Sequence, residues 1–128
     1  MTNTEKMIEL HKEACEKMHN IMKQKNHDYS GSVDPFVNFR SVEAIGICST
    51  EQGFMTRMMD KVCRISNFMS SGELHVKDES VEDTLMDLAN YALLMMLYIK
   101  MSKDESTGQT IQDMSDSLKE STIKLNKA

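Results

Sequence analysis

Apolar residues recur along this chain at helical spacing. Between about Thr4 and Lys25, Met7, Ala14, Met18 and Ile21 stand seven, four and three residues apart, with Ile8, Cys15 and Met22 widening the stripe. That pattern predicts an amphipathic helix, with His11 at the edge of its core face. Asn26-His27-Asp28-Tyr29-Ser30-Gly31-Ser32 is a cluster of turn formers expected to end it. Residues 26–40 then read as an ordered loop, because Tyr29, Phe36 and Phe39 call for cover and a loop of this length inside a compact domain usually serves a function. A short helix is expected over Ser41–Ile47, stopped near Gly46.

Ser49-Thr50-Glu51-Gln52 has the form of a capping box, opening a helix to about Met69 that Ser70-Ser71-Gly72 ends. Its apolar stripe is Met55, Met58, Met59, Val62, Ile65 and Met69. Arg57, Asp60, Arg64 and Asn67 fall opposite, which by itself describes a solvated face. Ser80 with Asp83 forms a second box, opening a long helix to about Lys100 or Ser102. Ile111, Met114, Leu118 and Leu125 keep roughly helical spacing in a polar tail, as a weak terminal helix or a frayed end. The reading is all-α: about four main helices in a compact domain over 1–102, with a polar tail or weak helix over 103–128.

Composition supports helices. One proline and five glycines among 128 residues are too few for a sandwich or barrel. Thirteen methionines against seven Phe and Tyr residues imply a core or interface packed by flexible side chains. The net charge of −5 argues against long nucleic acid as a partner, while leaving room for a nucleotide. Cys15, Cys48 and Cys63 lack metal-knuckle or redox spacing, so reduced, partly buried thiols are expected. The N-terminus has no signal-peptide pattern, and the apolar run Leu88–Ile99 is too short for a bilayer. The expectation is a soluble cytoplasmic protein without membrane contact.

The long fourth helix carries the strongest chemical signal. Glu79, Asp83, Asp87 and Asn90 are four, four and three residues apart and share one face. Leu94, Leu97 and Met101 continue that face, and the other faces are also apolar. Such a helix is expected to be buried, centrally or between subunits, with Asp87 and Asn90 where it enters the core. A carboxylate there needs a cation, a metal or donors. Successive acidic turns can share a hard divalent ion such as Mg²⁺, which often joins carboxylates to phosphates. Glu82, and in a bland reading Glu79 and Asp83 too, simply suit the positive end of the helix dipole. Antiparallel packing of the third and fourth helices would let Arg57 or Arg64 pair with Asp83 or Asp87, or contact phosphate. Lys23 to Tyr29 adds cations, a carboxylate and a ring, and Tyr29, Phe36 or Phe39 could hold a base or simply pack the loop.

Three blocks occur in order: Lys25-Asn26-His27-Asp28-Tyr29-Ser30-Gly31, Arg57 to Asn67 (RMMDKVCRISN), and Val76 to Ala92 (VKDESVEDTLMDLANYA). The set resembles the nucleotide-modification-associated domain (first type) of phages and bacteria, over about residues 5–100. That family is more distantly similar to the MazG and dimeric dUTPase type of all-α nucleotide pyrophosphohydrolases. These use two acidic pairs on two helices to bind Mg²⁺ and activate a water; here the third helix offers Asp60. The resemblance implies a Mg²⁺-dependent hydrolase or modifier of nucleoside phosphates. Glu79, Asp83 and Asp87 would hold the metal, and Asp60 and Asp87 would serve catalysis. Lys25, Arg57, Lys61 and Arg64 would neutralise phosphates, while Tyr29 and Asn90 contact base or sugar, with Asp28 and Asn67 in the same constellation. The alternatives are a non-catalytic nucleotide binder, such as a phage protein sequestering a host signalling nucleotide, and a helical interaction protein without ligand. A nearly all-apolar helix in a domain this small also implies a homodimer or homotetramer.

Overall fold

The computed structural model describes the backbone of residues 1–30, 34–72 and 79–127, and within these the side chains except at 27–30, 79–80, 105–117 and 121–127. The fold is all-α. Four helices follow one another, α1 (Asn3–Ser30), α2 (Val37–Ala44), α3 (Thr50–Ser71) and α4 (Glu79–Lys127), with no strand among the described residues. By internal packing the chain divides into a unit over Met1–Met95 and a second over Met96–Ala128. No helix among the described residues is long and apolar enough to cross a membrane.

Several boundaries differ from the sequence reading: α4 continues to Lys127, past the end expected near Lys100 or Ser102, and α2 ends at Ala44 rather than Ile47. The expected turn cluster at 26–30 is helical, since α1 runs to Ser30. Asn, His, Asp, Tyr and Ser are weak helix formers, each about 0.5 kcal/mol worse than Ala, but they do not break a helix. The first strong breaker is Gly31. The rest of the expected loop is shortened by α2, which starts at Val37 rather than Ser41. Asp34 opens this turn: its Oδ1 accepts the Phe36 N–H at 2.9 Å and its Oδ2 pairs with Arg40 Nε at 3.3 Å. Such a side-chain-to-backbone bond two residues on is the local geometry Asp favours at turns. Past α2, Gly46 takes a φ of 81°, a left-handed conformation that suits glycine.

The start and end of α3 match their sequence signals. Ser49 Oγ accepts the Gln52 N–H at 3.1 Å, and Gln52 Oε1 accepts the Ser49 N–H at 3.0 Å, completing the capping box. Gly72 closes the helix at φ 76°. Ser80 of the second expected box lies inside α4, which starts at Glu79, and its side chain is outside the described residues.

The densest packing joins α2 to α3. Phe54 is fully buried and stacks on Phe39, with ring centroids 4.2 Å apart and planes within 9°. Phe36 is also buried. Gly53 permits the approach, because a Cβ there would meet Val42 Cγ2 at 2.9 Å. Glu43 ties the helices polarly: its Oε2 accepts the Thr50 hydroxyl at 2.6 Å and the Thr50 N–H at 3.2 Å. These bonds, the hydroxyl's foremost, hold the Glu43 carboxyl below its ordinary value, against a smaller opposing effect of desolvation.

The expected core face of α3 is only partly inside. Phe54 is buried, and Arg57, Met58, Lys61 and Ile65 are half-buried, whereas Met55, Met59, Val62 and Met69 are exposed. The helix is rotated so that Phe54 and the cations Arg57 and Lys61 face inward. Burial of one large ring and pairing of two cations decide the rotation over the methionine stripe. On α4, Val81 and Thr84 are buried, but Leu85 and Leu93 are exposed, so the helix is not covered all round within one chain. His11 is exposed rather than at a core edge, with its ring 3.9 Å from Cys15 Sγ. Cys15, Cys48 and Cys63 are free thiols; Cys48 is half-buried, while Cys15 and Cys63 are exposed.

Candidate functional site

A cavity of about 430 Å³ opens between α1, α2, α3 and α4 within the first unit. Met22, Lys25 and Asn26 line it from α1, and Arg57 reaches it from α3. Asp87, Asn90, Tyr91 and Leu94 come from α4, while Pro35, Asn38, Phe39 and Ser41 complete the wall. Its volume falls in the range of small-molecule sites.

Asp87 is the carboxylate of this lining, and it is held by two lysines. Lys61 Nζ lies 3.1 Å from Oδ2 and Lys25 Nζ lies 3.9 Å from Oδ1. The Lys61 side chain is largely buried, at 13% exposure, against 56% for Lys25. The first contact is therefore a tight, partly desolvated pair, and the second is loose and solvated. An ion pair between α3 and the acidic face of α4 is present, with Lys61 in the place expected for Arg57 or Arg64. Lysine at 61 is one helical turn from Arg57, so both reach the same side of α3.

Arg57 is positioned by two contacts of different kinds. Its guanidinium carbon lies 4.4 Å from the Phe39 ring centroid, and Nη2 donates to the Asn38 carbonyl at 3.3 Å. Phe39 in turn stacks on Phe54 and meets Tyr91 edge-on at 6.2 Å and 80°. One face of Phe39 is thus covered by Phe54, and the ring also carries Arg57. Asn26 Nδ2 donates to the Pro35 carbonyl at 2.9 Å, which ties the end of α1 to the start of α2 beside the cavity.

The other expected site residues divide. Asp60 and Arg64 pair with each other along α3 at 3.6 Å, both more than half exposed, and neither lines the cavity. Asn67 is exposed and also outside the lining. Asp83 is exposed, while Asp87 and Asn90 face the cavity. The side chains of Glu79, Asp28 and Tyr29 lie outside the described residues. Among the described residues no three His, Cys, Asp or Glu side chains cluster as metal ligands. Of the expected carboxylate set, Asp83 is exposed and Asp87 is engaged by lysines, while the Glu79 side chain is outside the described residues.

Asn38 and Tyr91 were not singled out as site residues from sequence. Tyr91 follows Asn90 and stands four residues after Asp87, so helical spacing already placed it beside that carboxylate. Asn38 carries no such signal, since its contribution is a main-chain carbonyl supplied by the start of α2.

The fold and cavity together define an all-α domain with a cationic, aromatic-walled pocket closed around one paired carboxylate. The chain belongs to the family described as nucleotide modification associated domain 1, whose model matches residues 25–101. That span includes every residue of the cavity lining except Met22. Comparisons with curated proteins and with solved structures gave no match. Nothing in these comparisons links the chain to the MazG or dimeric dUTPase hydrolases.

Proposed function

We propose that the cavity binds a nucleotide, with its phosphates at Arg57 and Lys25 and its base or sugar toward Asn90 and Tyr91. The observation that carries this reading is the fixed Arg57. A guanidinium held by a ring face and a carbonyl has lost much of its freedom before any ligand arrives, so less ordering is left for binding. Lys25, loosely paired and half-exposed, can turn to an incoming anion. The Asn90 amide and the Tyr91 hydroxyl suit the polar edge of a base or ribose. The family's association with nucleotide modification points to the same ligand class.

Mg²⁺-dependent hydrolysis is the second reading, favoured by the presence of Asp87 in the lining. Mg²⁺ is often held by one or two carboxylates together with substrate phosphates. A nucleotide that drew Lys25 away would free one Asp87 oxygen for such a contact.

The test is calorimetric titration of the purified chain with a nucleotide panel, with and without Mg²⁺, and chromatography of the mixtures for products. Binding is expected, weakened about tenfold to a hundredfold in Arg57→Ala, the loss typical of a charge-assisted hydrogen bond. Turnover that needs Mg²⁺ and disappears in Asp87→Ala would establish the second reading. No binding of any nucleotide under either condition would refute both.

A further inference from the structure

The outward faces of α3 and α4 are patterned for helices that the chain itself does not supply. On α3 the exposed Met55, Met59, Val62 and Met69 follow steps of four, three and seven, with Ser66 taking the intervening polar step. On α4 the exposed Leu85, Ala89 and Ala92 follow steps of four and three, with Leu93 beside them. Alternating steps of four and three form the seam by which one helix packs along another. Within the first unit neither seam is covered.

We infer that a second copy of this chain covers these faces, forming a homodimer through the α3 and α4 seams. The area is of the right size. Exposures of 52%, 55%, 44% and 64% on the four α3 residues and of 47% and 40% on Leu85 and Leu93 leave on the order of 500 Å² of apolar surface open. A standard interface takes about 800 Å² from each partner, roughly two-thirds of it apolar at its core, so the seams match one side of such a contact. The charges beside the α3 seam are mixed, with Asp60 paired to Arg64, and select no strongly charged partner. A two-fold contact sets the same patch against itself, which suits a mixed-sign rim.

A second uncovered element supports a second copy over an unrelated partner. Residues 1–17, which include the first half of α1, are all exposed, Met7, Ile8 and Leu10 among them. A free helix of about this length is marginal in water. The chain that leaves its α3 and α4 seams open leaves this stripe open too, so one self-association can cover both. This inference does not depend on what the cavity binds.

Light scattering after size exclusion, with the full chain at micromolar concentrations, is expected to give twice the 14.6 kDa chain mass. Val62→Glu and Ala89→Glu, each placed on an exposed seam position, are expected to weaken association at least a hundredfold and to keep their helical circular dichroism. A second measurement on the unaltered chain guards against misfolded variants. Peroxide oxidation of Met55, Met59 and Met69 should slow severalfold at micromolar relative to nanomolar concentration, while Met1 oxidises at one rate throughout. A monomer across the whole range would overturn the inference. So would dimers that persist in both variants, or seam methionines whose oxidation ignores concentration.

Discussion

Polarity and burial are mixed on the two sides of α3. The inward side holds Phe54 together with Arg57 and Lys61, while the outward side exposes Met55, Met59, Val62 and Met69. A contrast in burial also separates its two ion pairs. Lys61 meets Asp87 across to α4 at 3.1 Å, largely buried, whereas Arg64 meets Asp60 within the helix at 3.6 Å, exposed to solvent. Charge is turned inward where a pocket needs it, and apolar surface is left outward where another helix can cover it. A helix that obeyed only the hydrophobic pattern would do neither.

The strongest way to break the inward side is Phe54→Ala. It removes a fully buried ring and the support beneath Phe39, and should cost about 3–5 kcal/mol in chemical denaturation, with loss of ligand binding as Arg57 is released. A loss below 1 kcal/mol would show that the α2–α3 stack is not the centre of the core. Asp87→Ala comes next. It strands the largely buried Lys61, and should destabilise by about 1–2 kcal/mol, read from the same urea midpoint. A neutral result would mean that Lys61 swings to water without cost.

Ser49→Ala isolates a local feature common to both sides of the helix, its first turn. Loss of the reciprocal box should cost about 1 kcal/mol, and Ser49→Asp should restore most of it. Asp60→Ala tests the exposed pair and should change stability by less than about 0.5 kcal/mol. If Asp60→Ala proved as costly as Asp87→Ala, the contrast between the two pairs would fail.

The smallest expected effect concerns acid. The Glu43 carboxyl is held below its ordinary value of 4.5 by the Thr50 hydroxyl and N–H, so the folded state binds its proton less readily than the unfolded chain. That contribution is complete above the ordinary value and is lost as pH falls through the lowered one. Glu43→Gln should therefore flatten the fall of melting temperature on the acid side and leave its neutral-pH trend alone. An unchanged acid slope would show that the Thr50 bonds do not distinguish the two protonation states.

Local signals in the sequence determined much of the frame. Helical spacing marked α1, α3 and α4, and capping chemistry at Ser49, Gln52 and Gly72 set both ends of α3, because caps act through neighbours a few residues apart. The same short-range logic put Asp87 and Asn90 on one face of α4, and both line the cavity. The Asp34 side-chain bond, local but unread, started α2 early. Long-range contacts decided the rest: Phe54 turned α3 about its axis and set Lys61 against Asp87, while Lys25 reaches the same carboxylate from α1. Periodicity states that a face is apolar, but not whether the same chain or a second one covers it. That depends on which side chains fill the space between helices, and here one phenylalanine and one carboxylate occupied it before the methionines could.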